Sequence, residues 1–187
     1  SAILNHAVNM YGLKDNVARK VGTMGKEENK EMEFWTQEEF QSFLECVADK
    51  PISYYAFEML YWTGIREGEL LALTPADFKF EKKILRINKS YQRLEGKDVI
   101  TDPKTPKSNR TIVMPDFLAV EMEDFISSLY GIRDDDRIFT ISKSYLHHEM
   151  DRGAKLAGVK RIRIHGLRHS HISLLINLGF SALAIGE

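Results

Sequence analysis

Apolar residues recur along this chain at two different periods, and the change of period marks out its parts. Before Phe40 the sequence WTQEEF carries the signals of a helix start. Thr36 is placed as N-cap, Glu39 completes a capping box, and Trp35 and Phe40 make a hydrophobic staple. Phe40, Phe43, Leu44, Val47 and Ala48 then fall on one helical face, and Ile52, Tyr55, Ala56, Met59 and Leu60 repeat the spacing until Gly64 ends it. A third helix is expected from near Arg66 to before Pro75. The period then shortens. KILRINK, VIT and RTIVM are short, rich in β-branched residues and separated by Gly- and Pro-bearing turns, which predicts strands over roughly 83–89, 97–102 and 110–114. Helical spacing returns in Leu118, Met122, Phe125, Ile126 and Leu129, from Ser142 to about Ala157, and from about His165 to Leu178. In the last segment Leu167, His171, Leu174 and Leu178 form the core seam. The expected class is α+β, mainly helical, with helices around a small three-stranded antiparallel sheet.

Residues 1–22 hold one short helical pattern, and the charged passage from Gly22 to Glu33 reads as a linker. The expected division is therefore 1–30 and 31–187. The 187 residues, 43% apolar, are enough for one sizeable core. No apolar run approaches the length that spans a bilayer and the N-terminus has no secretory pattern, so a cytoplasmic home is expected. A single cysteine, Cys46, excludes an internal disulfide, and its apolar neighbours predict a buried thiol.

The net charge of −1 hides an uneven distribution. Residues 82–110 carry a net +6, residues 152–186 another +6, and the remainder −13. Should the two basic stretches meet, they form a cationic face on an acidic body, suited to gripping phosphates on one side. Two solvated charge clusters are the alternative.

Three segments could carry chemistry. In RIRIHGLRHSH, a helix starting near His165 puts His165, Arg168 and Ile172 on one side. An arginine within an apolar helix needs an anionic partner or an open cleft, and a phosphate at a helix N-terminus would supply the partner. A surface arginine beside a capping histidine fits the same residues. In TGIREGEL, Glu69 can hold Arg66 by an i, i+3 pair, which by itself is an ordinary helical ion pair. In DPKTPKSNRT, Lys104 and Lys107 mark a polar turn between strands that could reach a DNA groove or serve as solubilising edge charge. His147, His148 and Glu149 read as a solvated helix face.

Together, and in this order, TGIREGEL, PKTPKSNRTIVM and HGLRHSH resemble the three catalytic segments of the tyrosine recombinase, or phage integrase, family. The resemblance runs from about Trp35 to the last residue, and residues 1–22 look like the end of that family's N-terminal DNA-binding domain. It implies a site-specific recombinase that cleaves and rejoins double-stranded DNA through a 3′-phosphotyrosine, in integration or excision of a mobile element, and that assembles as a tetramer on its sites. Carried over by position, Arg66 and Arg168 would clamp the scissile phosphate and His165 would bond it. Lys104, with Lys107 as the alternative, would protonate the departing 5′ oxygen, and Glu69 would orient Arg66. Lys107, Arg110, Arg161 and Arg163 are further expected DNA contacts. No metal or other cofactor is implied. The family's tyrosine lies downstream of the LGF turn, and the sequence stops before it, so a truncated catalytic domain without its nucleophile is expected. A DNA-binding regulator of the same fold and a type IB topoisomerase-like enzyme are the alternatives.

Overall fold

The computed structural model describes residues 2–21, 33–102 and 109–181. It divides into two compact units, Ser1–Glu31 and Met32–Glu187. The first contains helix α1 (Ala2–Met10) and the short α2 (Val17–Val21). Asn16, buried just ahead of α2, donates to Asn5 Oδ1 at 2.6 Å and accepts from the Ala18 N–H at 3.1 Å, so one side chain caps α2 and ties it to α1.

The second unit opens as the pattern predicts. Helix α3 (Gln37–Val47) starts at Thr36, whose hydroxyl accepts from Glu39 N while its own N–H donates to the Glu39 carboxylate at 2.9 Å. Its buried face is Phe40, Phe43, Leu44 and Val47; Ala48, at the C-cap, is exposed. Helix α4 (Pro51–Thr63) is buried on most sides and packs against α3 and, further along the chain, α5 (Glu67–Leu70), α6 (Asp116–Ser128) and α8 (Gly166–Asn177). Helix α7 (Lys143–Ala157) lies on α3. The approach is close because Gly153 has no side chain: a Cβ there would stand 2.4 Å from Phe43 Cε2 and 2.7 Å from Val47 Cγ1. Phe43 in turn meets Trp35 and Phe57 with ring centroids 4.7 and 4.8 Å apart, an aromatic core that joins the entry segment, α3 and α4.

The strands are β1 (Phe78–Lys79), β2 (Ile84–Ile87), β3 (Ser90–Leu94), β4 (Lys97–Thr101) and β5 (Arg110–Val113). A three-stranded antiparallel sheet is present, in the order β1-β2-β5, with Leu85 opposite Ile112 and Ile87 opposite Arg110. Its membership differs from the expectation. Residues 97–101 pair with 90–94 in a separate two-stranded hairpin, turning at Glu95–Gly96, and the third place in the sheet is taken by β1. The hairpin is held by Tyr91, whose hydroxyl donates to Asp98 at 2.8 Å, and by Arg137, which bonds Asp98 at 3.1 Å and lies 4.3 Å over the Tyr91 ring.

Four further expectations are corrected. The helix after Arg66 ends at Leu70, and a 3-10 turn at Pro75–Asp77 follows. Glu149 is buried, bonded by Lys50 at 2.6 Å, Ser53 at 3.2 Å and Arg152 at 2.8 Å, because α7 turns this carboxylate toward the start of α4. Cys46 is half-buried, and Leu178 is exposed just past the end of α8. Among the described residues, no helix is long and apolar enough to cross a membrane.

Candidate active site

Helix α4 ends on Gly64, which adopts a left-handed φ of 60° and donates to Leu60 O. Ile65 then plugs into the core at 2% exposure, and the chain turns straight into α5 with Arg66 at its N-cap position, exposed to solvent. Apolar burial on both sides of one turn thus fixes where Arg66 emerges.

Glu69, one turn into α5, is buried and receives four hydrogen bonds. Arg66 gives two, from its backbone N–H to Oε2 at 2.8 Å and from Nη1 to Oε1 at 3.0 Å. Arg110, the first residue of β5, gives the others as a fork: Nη1 to Oε1 at 3.0 Å and Nη2 to Oε2 at 2.8 Å. Burial pushes the Glu69 carboxyl up, but the bonds from Arg110 and Arg66 outweigh it and hold it below the usual carboxylate range. Glu69 is therefore ionised at neutral pH.

Arg168 enters from the other end of the unit. Between Lys160 and His165 the side chains alternate, with Ile162 and Ile164 buried and Arg161, Arg163 and His165 exposed, before the chain turns into α8. Two bonds set the start of α8: Ser170 Oγ accepts from Trp35 N at 2.9 Å and donates to Gly166 O at 3.0 Å. Trp35 also donates from its indole to Lys160 O at 2.7 Å, so the residue predicted as a helix staple braces this segment too. Arg168, in the first turn of α8 and half-buried, donates from Nη1 to the Gly64 carbonyl. Burial first, then the charges of Arg66 and Arg110, lower its pKa; Glu69 acts the other way. Three guanidiniums thus lie about one carboxylate, a local excess of positive charge that an anion would offset.

His165 is at the N-cap of α8, exposed, its ring edge-on to His169 with centroids 5.0 Å apart. Desolvation, then His169, Arg168 and Arg66, lower its pKa, so the imidazole is neutral near pH 7. The same interactions place His165 within the field of both Arg66 and Arg168. His171, expected on the core seam, presses against Gly64: a Cβ at Gly64 would lie 2.6 Å from His171 Cδ2.

The fold thus brings Arg66, Glu69, Arg110, His165 and Arg168 together. Lys104 and Lys107 lie outside the described residues. Arg161 is paired with Asp151 at 2.7 Å on the surface, and Arg163 is exposed with no ion pair among the described residues. Two relationships escape sequence reading. Arg110 looks like one more base in a basic run, and nothing in the pattern pairs it with Glu69. The Arg168–Gly64 bond joins a side chain to a carbonyl, which no motif encodes.

A mainly helical domain with small antiparallel sheets, and with arginines gathered where α4, α5 and α8 meet, defines the class of a tyrosine recombinase catalytic domain. Residues 33–187 match the phage integrase family, and the chain belongs to it. The ICEBs1 integrase of Bacillus subtilis (strain 168) is 31% identical over 205 residues, covering 100% of this chain and 54% of that protein. A tyrosine recombinase XerC-like protein of Caldanaerobacter subterraneus is 26% identical over 98% of this chain and 54% of its own length. The chain thus spans about half the length of these curated relatives. Among solved structures, the Tn1549 transposon integrase in complex with a circular intermediate DNA superposes with a TM-score of 0.78 at 19% identity, over 98% of this chain and 66% of that one. A lambda integrase dimer bound to a core site gives 0.65 at 14%, again over 98% and 66%. These likenesses establish the fold.

Proposed function

We propose that this chain is the catalytic domain of a site-specific recombinase that cuts and rejoins duplex DNA, and that the intact protein integrates or excises a mobile element. The observation that carries the reading is the convergence of Arg66 and Arg168 beside His165, with one buried carboxylate among three guanidiniums. The likeness to integrases, two of them solved on DNA, supports it.

In this reading the two guanidiniums bond the non-bridging oxygens of the scissile phosphate and offset the charge that builds on the pentavalent transition state. A tyrosine phenolate attacks phosphorus; its P–O bond forms as the bond to the 5′ oxygen breaks. Lys104, with Lys107 as the alternative, gives that oxygen its proton, and neutral His165 hydrogen-bonds the phosphate. Rejoining runs the same steps backwards, because the phosphotyrosine conserves the bond. Glu69 orients Arg66. Lys107, Arg161 and Arg163 contact backbone phosphates, residues 1–30 are the end of a DNA-binding domain, and the protein works in the cytoplasm as a tetramer on paired sites.

Among the described residues, no tyrosine is hydrogen-bonded to or stacked on Arg66, His165 or Arg168. Tyr61 stacks on Phe40, Tyr55 on Phe125, and Tyr54 packs edge-on to Tyr55. Tyr91 bonds Asp98, Tyr145 bonds Ser53, Tyr11 packs beside His6 and Tyr130 is exposed after α6. In this reading none of these tyrosines is the nucleophile, and the chain alone binds DNA without cutting it. The test is to incubate the intact protein with a duplex nicked near a candidate site and look for a covalent adduct on a denaturing gel. Adducts at one site support the proposal. Adducts on arbitrary supercoiled DNA would make it a type IB topoisomerase-like enzyme, and binding without any adduct a regulator.

A further inference from the structure

We infer that Arg110 is a positioning residue that limits how firmly Glu69 holds Arg66, keeping Arg66 available to the phosphate. The inference rests on the clamp reading above and goes past it, because a base in this stretch is otherwise expected to touch DNA directly.

The argument is one of saturation. An ionised carboxylate offers about four lone-pair sites. In Glu69 all four are occupied, two by the Arg110 fork, one by Arg66 Nη1 and one by the Arg66 backbone N–H. The two arginines divide the carboxylate unequally. Arg110, with 24% of its side chain exposed, commits both terminal nitrogens to it; Arg66, with 55% exposed, commits one. Among the described residues, Arg66 Nη2 and Nε have no hydrogen-bond partner, so they are the nitrogens able to turn to a phosphate.

Arg110 cannot easily let go. It is the first residue of β5, fixed by its pairing with Ile87 across the sheet, and its partner Glu69 is buried at 6% exposure, where an unbonded carboxylate oxygen is costly. If Arg110 is removed, Glu69 regains two empty sites in a buried position. Arg66, already bonded to this carboxylate, has two nitrogens without a partner among the described residues, and a carboxylate favours a two-pronged fork with a guanidinium. Arg66 is then drawn toward Glu69 and away from the phosphate. Lysine cannot stand in fully, since a single ammonium makes no fork.

Single-turnover adduct formation by the intact protein on the nicked duplex tests this, with Arg66→Ala, Arg110→Gln, Arg110→Lys and the double variant Arg110→Gln/Glu69→Gln measured beside the parent. Arg66→Ala should give no adduct. Arg110→Gln should lower the rate at saturating DNA on the order of 10- to 100-fold while DNA affinity changes by less than about 3-fold, because positioning acts on the transition state. Adding Glu69→Gln removes the charge that traps Arg66, so the double variant should cleave several-fold faster than Arg110→Gln alone. A side chain that merely propped the fold would show no such rescue. Should Arg110→Gln fail the circular-dichroism check for folding, Arg110→Lys with and without Glu69→Gln carries the same comparison. An unchanged saturating rate with weakened DNA binding would make Arg110 a DNA contact and overturn the inference. A double variant no faster than the single would overturn it as well. If Arg66→Ala cleaves as fast as the parent, the clamp reading itself falls and takes this inference with it.

Discussion

Arg168 donates to the backbone carbonyl of Gly64, so the first turn of α8 is tied to the end of α4 two residues before Arg66. The second arginine of the proposed clamp is positioned by main chain rather than by a carboxylate. Among the described residues Arg168 makes no ion pair, and only the more distant charge of Glu69 offsets its own, which suits the proposed phosphate site. The proposed clamp therefore depends on the course of the chain at Gly64.

Gly64→Ala should be costly on two counts. A left-handed φ penalises a residue with a Cβ by about 1 kcal/mol. The new methyl would also meet the His171 ring at 2.6 Å. Urea unfolding should show a loss of about 1–3 kcal/mol for the pair of effects. Adduct formation should fall by more than the folded fraction does, since the carbonyl that holds Arg168 moves.

Arg168→Ala should abolish adduct formation by the intact protein while weakening duplex binding only modestly, because one phosphate contact among several is lost. Its binding constant should depend on salt with a slope shallower by about 1 in log–log terms. An adduct yield equal to the parent's would remove Arg168 from the clamp.

Glu58, away from the proposed chemistry, makes the domain's stability pH-dependent. It is 4% exposed on α4, and among the described residues its Oε2 has no hydrogen-bond partner. Burial, reinforced by the charge of Glu121, pushes its carboxyl up to about 7, against an opposing bond from Trp62. The folded state therefore holds a proton that the unfolded chain releases near 4.5. The sign follows: this stabilising contribution is whole below about pH 4.5 and is lost as pH rises to about 7, amounting to at most about 3 kcal/mol. His165 and His171, both lowered, act in the opposite sense, so the difference between the parent and Glu58→Gln isolates Glu58. Denaturant unfolding at about pH 5 and pH 8 should show Glu58→Gln gaining on the parent as pH rises; parallel curves would refute the assignment.

Gly153→Ala tests the packing that supports the site from a distance. Alanine is the better helix former by about 1 kcal/mol. Here, however, its methyl would collide with Phe43 and Val47 inside the α3–α7 contact. Overpacking should prevail, with a net loss of about 1–2 kcal/mol in urea and an unchanged adduct rate per folded molecule.

What the sequence shows of this molecule depends on how local each cause is. The start of α3 is readable because Thr36, Glu39, Trp35 and Phe40 are neighbours, and the end of α4 because Gly64 stands alone after an apolar face. Strand β3 is hidden because SYQRL has neither clean alternation nor β-branched enrichment; Asp98 and Arg137 make it a strand by gripping Tyr91. Residues 97–101 look equally able to join the larger sheet, and only tertiary pairing decides otherwise. Glu149 reads as solvated because its partners Lys50 and Ser53 are about a hundred positions away in the sequence. In the site, Arg66 with Glu69, and His165 with Arg168, are visible as spaced pairs. The union of the two pairs and the role of Arg110 are made by long-range contacts.

The central claim is that Arg66, His165 and Arg168 serve a single phosphodiester. A structure of the protein bound to a duplex carrying its recombination site measures that directly. The account predicts one phosphate with oxygens about 3 Å from nitrogens of all three side chains. Arg66 and Arg168 bound to different phosphates, or both turned away from the DNA, would contradict it.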